Sequence, residues 1–334
     1  MNSENNCWLP SAKGLEDWLN LTETRGIDDL IGQSLLAPLV EFLNRPSKHF
    51  RGQLVRVGFD LINSQNNLSQ YVSEAMQVLE AIHAASLVVD DIQDNSEWRR
   101  GKPTLHRTYG IPVALNSANW LYFWPFETIE KWNLPPQVKL DLNRACYRAL
   151  IRAHSGQALD VGTPVSDLPQ ERVKSVCLAS LELKTGALTA LALELGAILA
   201  GADLKALSVL TRVGTDFGVA LQMFDDLGNI KEKSVADPKR FEDLKGLRPS
   251  WVWASAADHL TPNEYLEFKR VVSTLPAEDE LNRYFRTAPW VRLAHEKAKE
   301  FLNSSLKQLN APSWNEKAVR QLIDLSETLK RAYE

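Results

Sequence analysis

Apolar residues recur at three- and four-residue spacing through almost the whole of this 334-residue chain. That spacing is the period of an α-helix, and it is sustained in five long segments: Val72–Val89, Val138–Ala158, Gln170–Ala200, Leu204–Leu227 and Leu293–Leu309. Runs that alternate apolar and polar residues between hairpin turns, which would predict strands, are hard to find. The sequence therefore predicts an all-α protein.

The breaks between the helical segments are short, and none has the composition of an interdomain linker. With 44% apolar and 24% charged residues, the chain can fill one large core. We therefore predict a single domain over residues 1–334, and long helices packed around a central cavity would be consistent with this length.

The net charge of −4 leaves no global basic field that could hold nucleic acid or anionic lipid. Three scattered cysteines, Cys7, Cys146 and Cys177, lack zinc-site spacing and fit a reducing compartment. The most apolar window, Ala187–Ala202, is too short to cross a bilayer and contains Glu194, so it predicts a buried core helix. We expect a cytoplasmic protein with no stable membrane insertion and no nucleic-acid partner.

The first chemically informative group is an acidic cluster, Asp90, Asp91 and Asp94, that follows the apolar run Ala84–Val89. On a helix, Asp90 and Asp94 project from one face, with Asp91 beside them. Three carboxylates so close together repel one another unless a cation neutralises them. Mg²⁺ suits this site because it takes carboxylates together with phosphate oxygens. A solvated helix end is the alternative, and the preceding apolar run argues against it.

A second cluster repeats the pattern further along the chain, with Asp225 and Asp226 after an apolar run and Asn229 as a possible oxygen ligand. Two such clusters could face each other across a cavity and hold a diphosphate among several metal ions. Basic residues supply the complementary half, chiefly in the segments around Lys48, Arg99 and Lys184. Together they suggest two anionic substrates, one bound through metal and one bound directly by the protein.

In these motifs the sequence resembles the trans-isoprenyl diphosphate synthases, the polyprenyl synthetase family. The likeness follows the family's order over about residues 45–252, and its elements are Lys48–Gly52 (with Ser47 in place of a glycine), Asp90–Asp94, Arg99–Gly101, Gly156–Asp160, Lys184–Thr185 and Leu221–Asn229. A narrower likeness, in Tyr109–Phe123 and at Asn229, is to the animal and fungal geranylgeranyl diphosphate synthases. The resemblance implies an isoprenoid-synthase fold of antiparallel helices, completed by C-terminal helices over residues 255–334.

The resemblance also implies a role for each matching residue. Mg²⁺, expected as three ions with substrate bound, would be held on an allylic diphosphate by Asp90, Asp91, Asp94 and Asp225, with support from Asp160, Gln222, Asp226 and Asn229. The same diphosphate would be bound by Arg99, Lys184, Thr185 and Lys239, and isopentenyl diphosphate by Lys48, Arg51, His83 and Arg100. Arg248 stands where the family often has a phosphate-binding lysine.

Product length in this family depends on residues just upstream of the first acidic cluster. Here those residues are the small Ala85 and Ser86, with Ile82 one helical turn further away. The resemblance therefore implies a product longer than the fifteen-carbon farnesyl chain, and the narrower likeness indicates geranylgeranyl diphosphate, with twenty carbons.

Two other functions stay open from the sequence. A class I terpene cyclase of related fold would ionise one diphosphate only, but Lys233 has the wrong charge for the second motif of such cyclases. A non-catalytic subunit of a heteromeric synthase is the other alternative, which the intact first acidic motif disfavours. Chain elongation is favoured over both. The resemblance further implies a homodimer.

Overall fold

A computed structural model of the chain describes residues 9–20, 26–46, 50–62, 68–231 and 240–333. The described part consists of helices, loops and one short hairpin, which confirms the all-α prediction. The helices are α1 (Ala12–Leu19), α2 (Asp28–Ile31), α3 (Ala37–Leu43), α4 (Phe50–Leu61), α5 (Val72–Gln93), α6 (Leu105–Tyr109), α7 (Ile111–Lys131), α8 (Pro136–Gly162), α9 (Gln170–Leu181), α10 (Ala187–Leu199), α11 (Leu204–Asn229), α12 (Glu242–Lys245), α13 (Trp251–His259), α14 (Pro262–Val272), α15 (Asp279–Thr287), α16 (Pro289–Leu306) and α17 (Glu316–Tyr333).

The chain divides into two compact units. The first comprises Met1–Gln53 and Gln70–Asn143, and the second comprises Leu54–Ser69 and Arg144–Glu334. The prediction of one domain over the whole chain stays a prediction.

In the first unit, α5 packs against α7. Small side chains at their buried positions, such as Ala81 and Ala85 on α5 and Ala114 and Ala118 on α7, let the two helices approach closely. This packing fixes the carboxyl end of α5, which carries the first acidic cluster.

A hairpin follows α5, with β1 (Trp98–Arg99) paired to β2 (Lys102–Pro103). The sequence pattern does not predict it, because two residues per strand are too few to show alternation. Its turn residues, Arg100 and Gly101, have φ angles of +54° and +76°. Positive φ at both central positions matches the right-handed twist of the two strands, and the glycine adopts it without steric cost.

In the second unit, α10 is buried along its whole length and packs against α11. The Glu194 carboxylate is also buried, and it accepts hydrogen bonds from Thr211 Oγ1 and from Arg148 NH2 at 3.3 Å. The prediction of a core helix over Ala187–Ala202 is therefore confirmed. Cys146 and Cys177 are buried free thiols, and burial raises the pKa of each to about 12.

Two described stretches, Ser69–Gln93 and Gln170–Leu199, have the length and apolar composition of a membrane span. In both, more than half of the apolar window is buried inside the fold: 56% in the first and 61% in the second. The core helices of soluble proteins have the same properties, so these two stretches are only weak evidence for a membrane span.

Candidate active site

The first acidic cluster lies at the carboxyl end of α5. Asp91 is almost fully buried, with 1% of its side chain exposed, whereas 20% of Asp90 is exposed. Asp94 is the exposed C-cap of the helix, and its N–H donates to Asp90 O. The prediction that these acids end a buried helix is therefore correct.

Arg99, on β1, is paired with this cluster. Its NH2 lies 2.6 Å from Asp91 Oδ1 and 3.7 Å from Asp90 Oδ2, and its Nε donates to Asp91 Oδ1 at 2.8 Å. The ion pair offsets the repulsion between the two carboxylates. It also holds a guanidinium beside the acids, where a phosphate group bound to the cluster would meet it.

A second group of predicted phosphate ligands in the same unit contains Arg51 and His83, which are hydrogen-bonded to each other. Arg51 NH1 lies 3.0 Å from His83 Nε2. Because arginine can only donate, Nε2 accepts and the imidazole proton lies on Nδ1. Burial, together with the charges of Arg51, Arg100 and Arg99, holds the pKa of His83 well below its usual value. His83 is therefore neutral and orients Arg51 rather than adding a charge.

The residues predicted to set product length are all on α5, near the amino-terminal side of the acids. Ala85 and Ile82 are buried, and Ser86 is half-buried with its Oγ donating to His83 O at 2.8 Å. Tyr122 of α7, which sequence reasoning missed, is also buried in this unit. Burial and the charge of Asp90 raise the pKa of its phenol. An aromatic residue in a buried helix face carries no distinctive sequence signal.

In the second unit, Lys184 and Thr185 lie in a π-turn, Glu182–Gly186, between α9 and α10. Such turns carry one extra residue and are frequent at functional sites. Two glycines let the neighbouring helices approach this turn. A Cβ on Gly156 of α8 would lie 2.4 Å from Lys184 N, and one on Gly218 of α11 would lie 2.9 Å from Thr185 O.

The π-turn directs both side chains to partners on neighbouring helices. Lys184 Nζ donates to Asp160 Oδ2 on α8 at 2.8 Å. Thr185 Oγ1 donates to Gln222 Oε1 on α11 at 3.1 Å. The structure therefore brings together four residues that the sequence predicted for one site.

The second acidic motif completes this network at the end of α11. Gln222 Nε2 donates to Asp226 Oδ1 at 2.9 Å and to Asp225 Oδ2 at 3.3 Å. Asp226 is buried and also accepts from Trp251 N at 2.6 Å, whereas Asp225 is exposed and Asn229 is half-buried. Asp226 is thus held by hydrogen bonds, while Asp225 is open to solvent.

Asp243, on α12, is a further acid in this cluster and was not among the predicted site residues. Burial and the charges of Asp225 and Asp160, opposed by Lys184, raise the pKa of Asp243 to about 7. Burial and the charge of Asp243 likewise raise the pKa of Asp226 well above its usual value. The sequence signal that could have found it is the Asp243-Leu244 pair, which begins the short segment that ends near Arg248, five residues after Asp243.

These carboxylates fit a hard divalent cation, because they supply oxygen ligands and carry repulsion that a cation would relieve. No three His, Cys, Asp or Glu side chains within the described ranges already form a metal-ligating group. The fit therefore depends on donor chemistry and charge.

Arg248 NH1 donates to Asp160 O at 3.1 Å, so its guanidinium is anchored to the end of α8. Lys48 and Lys239 lie outside the residues that the structure describes.

A family model described as polyprenyl synthetase matches residues 33–287. The chain belongs to the polyprenyl synthetase family. It is therefore a prenyltransferase.

Individual relatives agree with that assignment. The chain is 27% identical to the geranylgeranyl pyrophosphate synthase of Mucor circinelloides f. lusitanicus over 87% of its own length and 91% of that protein. It is 34% identical to geranylgeranyl pyrophosphate synthase 2 of Zymoseptoria tritici, over 66% of its own length and 64% of that protein. These matches favour chain elongation over the cyclase and subunit alternatives.

A solved structure supports the fold. The geranylgeranyl pyrophosphate synthase of Corynebacterium glutamicum, complexed with isoprenyl diphosphate and magnesium, has a TM-score of 0.78 to this chain. The two are 20% identical, and the match covers 94% of each chain. At this identity the likeness establishes the all-α isoprenyl diphosphate synthase fold alone.

Proposed function

We propose that the protein joins isopentenyl diphosphate to an allylic diphosphate and makes geranylgeranyl diphosphate. The observation that carries this proposal is the presence of two kinds of anion-binding chemistry in the first unit. Asp90 and Asp91 offer carboxylates to a metal ion, whereas Arg51 and Arg100 offer direct donors to phosphate. We propose that these two modes bind the two diphosphate substrates, one with metal and one without.

Each acidic motif would supply carboxylate ligands to Mg²⁺. We assign Asp90, Asp91, Asp94 and Asp225 as ligands, with Asp160, Gln222, Asp226 and Asn229 in support, and propose three ions. When bound, Mg²⁺ would stabilise the negative charge of the departing diphosphate. The magnesium named for the Corynebacterium complex supports magnesium as the metal.

Arg99, Lys184 and Lys239 would bind the allylic diphosphate directly. Arg99 and Lys184 support this role because each is ion-paired to a carboxylate of its own unit, Arg99 to Asp91 and Lys184 to Asp160. These pairs keep a cation at each acidic cluster without leaving a buried charge uncompensated. Thr185 and Gln222 would hold the π-turn in register with the acids.

Lys48, Arg51 and Arg100 would bind isopentenyl diphosphate, with Arg248 as a further phosphate ligand. A guanidinium has five N–H donors, and one from Arg51 is directed at His83 Nε2. His83 would therefore fix the plane of the Arg51 guanidinium relative to the phosphate. A neutral imidazole suits this role, because it keeps its acceptor at every pH above its lowered pKa.

The reaction breaks the bond between the allylic carbon and its diphosphate oxygen. The electron pair of that bond leaves with the diphosphate, and the double bond of isopentenyl diphosphate attacks the allylic cation to form the new C–C bond. The condensed carbocation then loses a proton from the adjacent carbon to the released diphosphate, and the electron pair of that C–H bond forms the new double bond. The residues of the chain bind and orient the two diphosphates, and the proton needs no dedicated side-chain base.

Chain length would be set on α5. Ala85 and Ser86 are small residues about one turn from Asp90, and Ile82 and Tyr122 are larger groups in the same unit. We propose that this arrangement admits twenty carbons, in agreement with the products named for the Mucor and Zymoseptoria relatives.

We further propose a cytoplasmic homodimer. Three large apolar side chains of α7 are exposed in the first unit: Ile111 at 53%, Leu115 at 39% and Phe123 at 72%. Ile111 and Leu115, four residues apart, lie on one face of α7, and exposed apolar groups on a helix face are typical of a surface that another protein covers.

The test is a product assay with Mg²⁺, isopentenyl diphosphate and, in turn, dimethylallyl, geranyl and farnesyl diphosphate. Mass spectrometry should find products extended in five-carbon steps and ending at twenty carbons. A cyclised hydrocarbon formed without isopentenyl diphosphate would replace the proposal with the cyclase alternative. No turnover of any allylic substrate would replace it with the subunit alternative.

A further inference from the structure

The hairpin of β1 and β2 carries both Arg99 and Arg100, yet it has only two residues in each strand. A two-stranded ribbon is marginally stable by itself even when it is longer. The position of these two arginines therefore depends on contacts between the hairpin and other residues of the first unit.

Arg45, just beyond the end of α3, contacts both strands of the hairpin. Its NH1 donates to Arg99 O at 3.1 Å, and its NH2 donates to Pro103 O at 2.8 Å. Only 1% of the Arg45 side chain is exposed. A planar guanidinium can bridge two carbonyls in fixed directions, which a lysine ammonium cannot do.

Glu41, one turn earlier on α3, neutralises this buried guanidinium. Arg45 NH2 lies 2.8 Å from Glu41 Oε2, and Arg45 Nε donates to Glu41 Oε1 at 3.2 Å. Lys102, on β2, also donates to Glu41 Oε1 at 3.2 Å. The carboxylate thus holds the guanidinium and one strand of the hairpin together, and the buried charge is compensated.

Phe42 connects Arg45 to Arg100. The Arg45 Cζ lies 5.2 Å from the centre of the Phe42 ring, and the Arg100 Cζ lies 5.5 Å from it. Both guanidinium groups are therefore within cation–π distance of one ring. Arg100 is held by its position in the turn and by its contact with the Phe42 ring. Arg45 contacts the same ring and the two strands that flank the turn.

We propose that Arg45 is a positioning residue that fixes the hairpin so that Arg99 and Arg100 are preorganised to bind diphosphate. The proposal rests on the proposed function only for the identity of what Arg99 and Arg100 bind. Glu41 is its essential partner, because a buried guanidinium without a counter-charge would destabilise the unit.

The first test measures the hairpin without substrate. Hydrogen–deuterium exchange over residues 96–104 should be about tenfold to a hundredfold faster in Arg45→Met than in the native protein, because two hydrogen bonds from a charged donor are lost. Arg45→Lys should be intermediate. Arg320→Met is the matched control, since Arg320 pairs with Glu316 in the same Glu-x-x-x-Arg spacing on α17 but is 77% exposed. Exchange that is unchanged in both Arg45 variants would overturn the proposal.

The second test is kinetic. Arg45→Met should raise KM for both substrates about tenfold, and it should change KM less than twofold further when Arg99 and Arg100 are both alanine. An undiminished effect in that background would mean that Arg45 acts through overall stability, which would overturn the proposal. If Arg45→Met does not fold, Arg45→Lys is compared in the same two backgrounds. Faster exchange with unchanged KM would show that Arg45 holds the hairpin without preorganising Arg99 and Arg100 for the substrates, which would overturn the proposal. Unchanged KM in the variant with alanine at Arg99 and Arg100 would instead refute substrate binding by these two residues.

Discussion

Gly156→Ala tests how the π-turn positions Lys184. A Cβ at this position would lie 2.4 Å from Lys184 N and 2.7 Å from Leu183 C. Ordinary contact begins at 3.4 Å, so the backbone of the turn must move by about 1 Å (3.4 minus 2.4). Backbone cannot yield as the end of a flexible side chain can.

The expected cost follows from two opposed terms. Replacing glycine by alanine within a helix gains about 1 kcal/mol, and overpacking of this severity costs about 3 kcal/mol or more. We therefore expect Gly156→Ala to lower the free energy of unfolding by about 2 kcal/mol. A displacement of about 1 Å at a substrate-binding residue should lower kcat about a hundredfold.

Gly162→Ala is the matched control, because Gly162 is on the same helix and its Cβ would meet nothing within 4 Å. Urea denaturation and steady-state kinetics should find that this variant has native kcat and unchanged or slightly greater stability. Equal stability and equal kcat in the two variants would refute the role assigned to the close approach of α8.

Three further predictions concern the acids and the product. Asp90→Ala and Asp225→Ala should each lower kcat by about a hundredfold or more, with little change in thermal unfolding, because both carboxylates are accessible rather than packed in the core; native kcat in either variant would refute the metal assignment. Ala85→Phe should shorten the product, measured by mass spectrometry, because it fills a buried position next to Ser86. An unchanged twenty-carbon product would exclude Ala85 as a residue that sets product length. Because the pKa of Asp243 is raised from 3.8 to about 7 in the folded state, that group's contribution to stability is full below pH 3.8 and is lost as the pH rises through about 7. Asp243→Asn should flatten the dependence of the free energy of unfolding on pH in this range, measured by urea denaturation. An unchanged slope would show that Asp243 does not titrate there.

The sequence predicts the helices well because their burial is periodic. The spacing of apolar residues in Val72–Val89 matches the body of α5, and the acids after it mark where the helix ends. The buried α10 is predictable for the same reason, since a short apolar window containing one acid suits a core helix better than a membrane span.

The features that depend on contacts between distant segments could not be predicted. The π-turn at Lys184 depends on close approach by glycines of α8 and α11, and its sequence contains nothing that demands an extra residue. Arg45 reads as an ordinary basic residue, and only the position of the hairpin reveals its two carbonyl partners. The pKa of Asp243 likewise depends on Asp160 and Asp225, which are far from it in the sequence.

The two proposed diphosphate sites differ in their need for metal: the allylic diphosphate requires Mg²⁺ in addition to protein cations, whereas isopentenyl diphosphate is bound by protein cations alone. Isothermal titration calorimetry with isopentenyl diphosphate, and with a thiolo analogue of farnesyl diphosphate that cannot ionise, tests this difference in EDTA and in Mg²⁺. The analogue should bind only in Mg²⁺, and its binding should be lost in Asp90→Ala. Isopentenyl diphosphate should bind in EDTA as well, and its binding should be lost in Arg51→Met. If the binding of both ligands depended equally on Mg²⁺ and on both residues, the proposed difference between the two diphosphate sites would be wrong.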